Sequence, residues 1–380
     1  MITVKIIENY NVEDNYLYKV KHNCNEYDKN VLIIINNIND LGINNNIKYI
    51  TSNVGVFNAL KKCKISSILI KNIVPLDDGD ILYINNNSTA ACVVYQVKSS
   101  HNVLFVTGEC NSSCIMCPQP PKDDDIDFLD LSYKIINLIE CPPDFLSVSG
   151  GEPTLLGNRL ISLIEYIYSK WENINIQILT NGRLLSDFNY TSSLMNVCKD
   201  RKIFFAIPLH ADILEIHDTI SQRKGSFDQT IRGLYNLSLY NANIELRIVV
   251  MRYNVHRLKK IILYIGRYIT FIQHISIMQM EPQGFARKRW SEFYIDPSEY
   301  MNELIEMTDI ANTIGIPIRL YNYQLCTLPE SLYEYAYQSI SDWKNVFRKE
   351  CQMCKKLLSC AGFFSSQDSD NYISSKIHAL

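Results

Sequence analysis

Short apolar segments alternate with polar turns in residues 1–100. The clearest apolar runs are Val31–Ile35, Ile68–Ile70 and Ala91–Val97. Asn, Asp and Gly separate them, and Asp77–Asp80 is a strong turn signal because Asp and Gly favour turn conformations. This pattern predicts a small β-rich domain with one helix near Val54–Lys62. The polar link Ser99–Asn102 predicts where the domain ends.

From residue 103, strand-like and helix-like segments alternate. The predicted strands are Val103–Thr107, Phe145–Val148, Ile174–Leu179, Ile203–Leu209, Ile244–Met251, His274–Met280 and Pro317–Tyr321. The predicted helices are Ser132–Ile139, Asn158–Trp171, Thr191–Cys198, Phe227–Tyr240, Val255–Tyr268 and Pro297–Thr313. Such alternation is typical of an α/β fold with a parallel sheet. Six units over roughly 210 residues favour an open partial (β/α)6 barrel, since a closed eight-unit barrel takes about 250 residues.

Two local signals mark helix starts. Ser226 is predicted to cap the fourth helix, and Pro297 lies where the first turn of the sixth helix tolerates proline. Residues 322–380 lack the strand–helix pattern, and the Ser- and Asp-rich tail after Phe364 is predicted to be loose. The predicted domains are therefore 1–100, 101–321 and 322–380.

Composition narrows the class of protein. The 380 residues are 47% hydrophobic and 20% charged, which is ample for a sizeable core. A formal net charge of -3 argues against nucleic acid as a partner held by a basic surface. The N-terminal sequence has no basic segment followed by an apolar one, and no run approaches the 18 apolar residues of a membrane span. We therefore expect a cytoplasmic protein without a membrane segment.

Twelve cysteines in a reducing compartment argue against a disulfide framework, and seven of them fall into two groups. The first group, Cys110, Cys114 and Cys117, has the spacing C-x3-C-x2-C directly after the first barrel strand. Thiolates select zinc, copper(I) or iron–sulfur clusters. A 4Fe-4S cluster needs four ligands, so three cysteines would leave one iron open for a substrate or cofactor. The alternatives are a zinc site or unliganded thiols.

A second motif, Ser149–Pro153, follows the second strand directly. Its two glycines, Gly150 and Gly151, let the backbone approach a ligand closely, and Glu152 adds a negative charge suited to an ammonium group. Alone, this motif would indicate an ordinary strand-to-helix turn. After the cysteine loop, it indicates a cofactor site.

The two motifs together resemble the radical S-adenosylmethionine (SAM) superfamily over residues 103–321. The resemblance implies a partial barrel that binds one 4Fe-4S cluster and SAM, whose reductive cleavage gives a 5'-deoxyadenosyl radical. It assigns the cluster to Cys110, Cys114 and Cys117 and an adenine contact to the backbone of Met116. It assigns the methionine amino group of SAM to Gly150, Gly151 and Glu152 of the Gly-Gly-Glu-Pro motif that ends at Pro153.

Other positions match this family less closely. Thr180 and Asn181 follow the third strand, where the family often has a polar SAM contact, although a plain Asn-Gly turn explains them equally well. Pro208 occupies the position of the usual serine that contacts ribose. His210 either lines the substrate pocket or is a structural histidine. Arg247 or Arg252 could face the SAM carboxylate, and the sequence does not decide which.

The second cysteine group comprises Cys326, Cys351, Cys354 and Cys360, the last three spaced C-x2-C-x5-C. This spacing resembles the auxiliary-cluster extension called SPASM or its shortened form, twitch. The longer form would continue to a cysteine where Phe364 stands, so the resemblance implies one auxiliary 4Fe-4S cluster rather than two. Four thiolates also suit a structural zinc ion, which stays the alternative.

A narrower resemblance, to the His-Xaa-Ser system radical SAM maturases, rests on the two motifs and on Gln338–Asn345. It implies a ribosomally made peptide or protein substrate with His-Xaa-Ser repeats, and a second radical SAM protein as partner. The β-rich domain would then dock the peptide, and flavodoxin or ferredoxin would donate electrons. The rival functions are radical chemistry on a small molecule and a non-enzymatic iron–sulfur carrier. The acidic run Asp123–Asp125 is either a solvated loop or a contact for a basic substrate.

Overall fold

The structure is a computed structural model that describes residues 2–13, 16–22, 28–37, 47–71, 75–85, 89–122, 126–339 and 346–380. Asp123–Asp125 and most of Gln338–Asn345 lie outside the described residues. The chain forms two compact units. The first comprises 1–104 and 129–144, and the second comprises 105–128 and 145–380.

The first unit is a closed β-barrel with strand order β1-β5-β4-β3-β2-β6-β7. Its strands are β1 (Ile2–Tyr10), β2 (Tyr16–Lys21), β3 (Val31–Ile34), β4 (Lys48–Thr51), β5 (Ser67–Ile70), β6 (Ile81–Ile84) and β7 (Ala90–Tyr95). Apolar side chains such as Val20, Leu32 and Leu82 fill the interior, because alternate residues of each strand face inward. The predicted β-rich domain is confirmed.

One helix of the first unit is α1 (Val54–Lys62), which begins and ends as predicted. The Asn53 side chain caps it by accepting hydrogen bonds from the backbone N–H groups of Gly55 and Val56. A second helix, α2 (Phe128–Leu138), starts four residues before the predicted position. All but its first residue clusters with the first unit.

An eight-stranded sheet has the order β15-β14-β13-β12-β11-β10-β9-β8, and strands β9 to β15 belong to the second unit. The strands of this sheet are β8 (Asn102–Phe105), β9 (Phe145–Ser149), β10 (Asn175–Leu179), β11 (Ile203–Pro208), β12 (Asn243–Val250), β13 (His274–Gln279), β14 (Ile318–Tyr321) and β15 (Ala336–Tyr337). Neighbouring strands pair in parallel from β9 to β15. The predicted parallel sheet of a partial barrel is confirmed, with one additional short strand, β15.

Helices connect these strands. They are α3 (Asn158–Lys170), α4 (Phe188–Cys198), α5 (Leu214–Ser221), α6 (Ser226–Ser238), α7 (Leu258–Tyr268), α8 (Gly284–Lys288), α9 (Trp290–Phe293) and α10 (Met301–Ile314). The sequence did not predict α5, α8 or α9. In the described residues, no helix combines the length and apolar character that a membrane crossing requires.

The predicted start of α6 is wrong in detail. Gly225 occupies the capping position, and Ser226 is the first helical residue. The cap is supplied from α5, because the Asp218 carboxylate accepts hydrogen bonds from the N–H groups of Gly225 (2.6 Å) and Phe227 (2.9 Å). Pro297 does lie in a first helical turn, as predicted, and Asp296 caps that turn.

The segment after Phe364 is not loose. Phe364 is buried, and Gln367 bridges the N–H of Phe364 and the carbonyl of Tyr372 with hydrogen bonds of 2.9 and 2.8 Å. The Ser374 hydroxyl donates to Asp296 at 2.8 Å. The prediction failed because polar composition alone does not show that the polar groups have partners within the fold.

Candidate metal and cofactor site at the strand ends

The loop that carries Cys110, Cys114 and Cys117 follows β8 and is held by backbone hydrogen bonds. The N–H of Ile115 donates to the carbonyl of Ile220 at 2.9 Å, and the N–H of Phe285 donates to the carbonyl of Cys117 at 3.0 Å. Met116 is buried in an apolar group with Met251, Met280 and Phe293. The side chain of Met116 therefore anchors the loop, and its assigned backbone contact to adenine stays a prediction.

The three thiols of this loop interact with one another. Burial, together with the negative charge that the neighbouring Cys117 and Cys110 would add, raises the pKa of Cys114 to about 12. Burial also raises the pKa of Cys117 to about 11 and that of Cys110. Such thiols stay protonated at neutral pH unless a cation compensates the thiolate, so metal binding would release protons here.

The glycines of the second motif are required by the cysteine loop. Gly151 donates to the carbonyl of Thr107, and Glu152 donates to the carbonyl of Glu109, both at 2.8 Å. A Cβ on Gly151 would lie 2.1 Å from the Glu109 oxygen, and one on Gly150 would lie 2.6 Å from the Thr107 oxygen. The close approach expected toward a ligand is thus made to the cysteine loop itself.

This contact predicts a strong effect for Gly151→Ala. The added methyl group must displace backbone, which costs roughly 1–3 kcal/mol in a packed site and shifts the cysteine loop. We expect a lower melting temperature and loss of iron at the first cysteine group. Gly157→Ala is the control, since its φ of +55° strains an alanine but no atom lies within 4 Å. Iron content at the wild-type level in Gly151→Ala would contradict the prediction.

Glu152 is fully buried and links the second motif to β10. Its Oε1 accepts hydrogen bonds from the Thr154 N–H at 3.1 Å and from the hydroxyls of Thr154 and Thr180, each at 2.6 Å. Among the described residues, its Oε2 accepts one hydrogen bond, from the N–H of Asn181 at 2.6 Å. Because a carboxylate offers about four acceptor positions, Oε2 has capacity for a further donor. Burial raises the pKa of Glu152, and a cationic donor would offset this cost.

Thr180 and Asn181, at the end of β10, do more than form a turn. Besides binding Glu152, Asn181 donates from Nδ2 to Oδ1 of Asn111 at 2.7 Å, and the same nitrogen lies 4.0 Å from the Cys110 sulfur. Gly182 has a φ of +76°, so the Asn-Gly turn is also present. The structure thus brings the ends of β9 and β10 to the cysteine loop.

Two arginines to which the sequence interpretation gave no role at the site also hold the cysteine loop. Arg183 donates from Nη1 to the Asn111 carbonyl and, at 3.1 Å, to the Ser112 hydroxyl. Arg223 donates from Nε to the same Asn111 carbonyl at 3.0 Å. In the sequence, the position of Arg183 directly after the Asn-Gly turn was the feature that could have indicated this role. Both guanidinium groups place positive charge beside three cysteines that must become thiolates.

His210 lies just beyond β11 and is buried. Its ring centre is 5.1 Å from that of His217, whose Nδ1 accepts the His210 N–H at 3.2 Å. Burial lowers the pKa of His210 and lowers that of His217 to about 3, so both rings are neutral at pH 7. Nδ1 of His210 has no hydrogen-bond partner among the described residues.

The two arginines near the end of β12 differ. Arg252 is exposed beyond the strand. Arg247 lies on β12 and pairs with Glu245, with nitrogen–oxygen distances of 3.0 and 3.1 Å. Pro208 pairs in register with Arg247 and supplies no hydroxyl.

The four cysteines of the second group converge on one pocket. Cys326, Cys351, Cys354 and Cys360 line it together with apolar residues and with His378. The N–H groups of Leu325 and Gly362 point at the Cys360 sulfur, each at 3.5 Å, and the N–H of Leu380 points at the Cys354 sulfur at 3.5 Å. Donors of this kind stabilise thiolates around metals. Sequence reasoning missed His378 because it lies in the tail that was expected to be loose.

In neither cysteine group do the sulfur atoms converge on the position of a single metal ion. Within the described ranges, no three His, Cys, Asp or Glu side chains form a site for a single metal ion. A structural zinc ion would need its sulfurs about 2.3 Å from one position. A 4Fe-4S cluster is larger, and its cysteines surround it at separate irons. The donor sets, three thiols beside Glu152 and four thiols around one pocket, fit such clusters.

Comparison with a family profile identifies a region that includes the cysteine loop and the Gly-Gly-Glu turn. The sequence profile described as the Radical SAM superfamily matches residues 104–265. An uncharacterised protein of Methanocaldococcus jannaschii, MJ0907, is 28% identical over 273 residues, which cover 69% of this chain and 87% of that protein. The mycofactocin maturase MftC of Mycolicibacterium smegmatis is 26% identical over 195 residues, covering 50% of this chain and 46% of MftC. The crystal structure of Streptococcus suis SuiB bound to S-adenosylmethionine aligns with a TM-score of 0.49 and 14% identity, covering 61% of this chain and 53% of SuiB.

Proposed function

We propose that this protein, whose residues 104–265 match the Radical SAM superfamily profile, is a radical SAM enzyme that cleaves SAM reductively and modifies a ribosomally made peptide or protein. The observation that carries the proposal is the joining of the cysteine loop to the Gly-Gly-Glu turn by the backbone contacts of Gly151 and Glu152. An electron carrier has no need of this turn beside its cysteines, whereas a cofactor that binds an open iron does.

Each residue of this site has a proposed role. Cys110, Cys114 and Cys117 would hold the first 4Fe-4S cluster, and Glu152 would accept the SAM ammonium at Oε2. When bound, the cluster and SAM would together supply radical chemistry for hydrogen abstraction. Thr180 and Asn181 keep Glu152 in place, and Arg183 fixes the cysteine loop through Asn111 and Ser112.

The role of Glu152 gives a binding prediction. A charge-assisted hydrogen bond contributes about 1.5–3 kcal/mol, so Glu152→Ala is expected to weaken SAM binding by roughly tenfold or more. Iron content should change little, since no cluster ligand is removed. Equilibrium dialysis with labelled SAM measures the affinity. Glu165→Ala, which removes an exposed carboxylate from α3, is the control and should bind SAM normally. If Glu152→Ala retained full affinity, the turn would be only structural.

The four thiols of residues 326–360 are proposed to hold one auxiliary 4Fe-4S cluster, with zinc as the alternative. Such a cluster could exchange an electron with the substrate radical or help to bind the substrate. Cys326 precedes Cys351 by 25 residues, so metal binding would close this segment and contribute directly to its folding.

The peptide substrate rests on two kinds of support. Among the relatives, MftC is named a maturase. The chain also has a separate barrel in residues 1–104 of the first unit, suited to docking a peptide outside the catalytic unit. A His-Xaa-Ser repeat protein, a second radical SAM protein and a flavodoxin or ferredoxin donor are the proposed partners in the cytoplasm. A small molecule is the rival substrate.

One experiment tests both levels of the proposal. The reconstituted protein is reduced with SAM, and 5'-deoxyadenosine is measured. A candidate peptide encoded beside the gene is then coexpressed with and without the protein and analysed by mass spectrometry. Absence of 5'-deoxyadenosine would refute the proposed enzymatic activity. Its formation with an unchanged peptide would favour the small-molecule rival.

A further inference from the structure

The inner face of the sheet carries charged and polar side chains across several strands. On β12 the residues Ile244, Leu246 and Ile248 are fully buried on one face, while Glu245 and Arg247 face the other. In α/β barrels the helices cover the outer, apolar face. The polar face is therefore the interior of the partial barrel, where a substrate would meet the proposed radical.

A row of three residues crosses this interior. Arg247 of β12 pairs in register with Ser276 of β13, and Ser276 pairs with Arg319 of β14. In-register neighbours on parallel strands point to the same side, at about 4.8 Å per strand. Two guanidinium groups thus lie in one row, below the strand ends where the cysteine loop lies.

The Glu245 carboxylate in this region already has a full set of hydrogen-bond donors. Glu245 accepts hydrogen bonds from Arg247, from the Gln177 Nε2 at 2.9 Å and from the Ser276 hydroxyl at 2.6 Å. These contacts consume its four acceptor positions. Its negative charge balances Arg247, whose side chain is 22% exposed.

The positive charge of Arg319 is not balanced by a carboxylate of the described residues. Its guanidinium group lies 5.2 Å from the centre of the Tyr337 ring, and its positive charge partly offsets the rise that burial causes in the pKa of Tyr321. His274, also on this face, is kept neutral chiefly by burial, which lowers its pKa, with Arg319 and Arg247 acting in the same direction. Among the residues that the structure describes, this face therefore carries the positive charge of Arg319 without a carboxylate to balance it.

We propose that Arg319, assisted by Arg247 and Tyr321, binds a carboxylate of the peptide substrate inside the barrel. Arg offers a planar fork of donors that matches a carboxylate in a bidentate manner, and a half-buried site strengthens the pairing. The proposal rests on the proposed function and specifies its substrate as a peptide with Asp, Glu or a free C-terminal carboxylate near the reacting residue. A SAM carboxylate is the other source of the same chemistry, but β14 lies four strands from β10, where the SAM contacts are proposed.

The test is affinity selection from pooled synthetic random peptides on the full-length, reconstituted protein with SAM present, and the bound peptides are identified by mass spectrometry. Library arms with C-terminal carboxylates and C-terminal amides separate the two positions of the carboxylate. We expect acidic residues or the free C-terminus to be enriched at least tenfold over their amide counterparts. The enrichment should vanish with Arg319→Gln and partly return with Arg319→Lys. Arg232→Gln, which removes an exposed arginine from α6, should select like the wild type.

Several outcomes would overturn the proposal. These are absence of acidic enrichment in the wild type, enrichment that persists in Arg319→Gln, and enrichment of Lys or Arg, which would make Glu245 the anchor. SAM affinity and peptide-free 5'-deoxyadenosine formation are measured in parallel and should be unchanged in Arg319→Gln. A tenfold loss of SAM affinity would assign the arginine to the SAM carboxylate instead. A wild type that selects acidic peptides but cleaves no SAM would refute the proposed function and not this site.

Discussion

Replacing Cys110, Cys114 and Cys117 together by alanine is expected to abolish 5'-deoxyadenosine formation and to remove about four irons per chain, one 4Fe-4S cluster. All thiolate ligands of the proposed first cluster are lost, so no electron can reach SAM. The C-terminal cysteines lie in a separate pocket and should keep their metal. Iron analysis and chromatography of the reduced reaction mixture measure both effects.

The fold should tolerate this change. The cysteine loop is also held by Arg183, Arg223 and the backbone bonds of Ile115, none of which is altered. Circular dichroism and the melting temperature check this point. The control is the pair of exchanges Cys63→Ala and Cys141→Ala, since both thiols are exposed and outside the two groups. 5'-Deoxyadenosine produced by the triple variant would refute the assignment.

The second large effect is expected at the C-terminal group. We predict about eight irons per chain after anaerobic reconstitution, four for each of two clusters. Cys351→Ala with Cys354→Ala should lower this number to about four, because two of the four thiolates are lost. Peptide modification should fail, while peptide-free SAM cleavage survives. Both thiols are only partly buried, so their removal should cost little packing.

Metal analysis of the unaltered protein decides between cluster and zinc. An iron count of about four together with one zinc would identify a structural zinc site and exclude the auxiliary cluster. The electron paramagnetic resonance spectrum of the reduced protein gives an independent count of clusters. Removal of the zinc by a chelator should then unfold residues 326–380, because metal binding would stabilise that segment.

The sequence by itself determined the barrel strands β8 to β14 and the contiguous motifs. Seven barrel strands, β8 to β14, were predicted with ends within two residues of those observed. Strand patterns are local, since apolar runs bounded by turn residues report directly which segments are buried. The cysteine loop and the Gly-Gly-Glu-Pro turn were likewise readable because each lies within one short segment.

Only the tertiary structure decided the partners of these motifs. The two glycines proved to face the carbonyls of the cysteine loop, and Glu152 proved to be tied to Thr180 and Asn181. The cap of α6 came from Asp218, eight residues before Ser226. Each of these contacts depends on where a turn or strand end meets another segment, which local patterns do not encode.

For the same reason, the sequence did not show that Arg247 and Arg319 lie in one row inside the barrel. Both were visible as arginines in strands, but their alignment follows from the register of β12, β13 and β14, which is set by packing of the whole sheet. His378 joined the second cysteine group through the fold of a tail that looks unstructured in composition. A site whose residues are close together in the sequence can therefore be predicted from the sequence. A site whose residues come from distant strands can be identified only from the fold, because the fold brings those strands together.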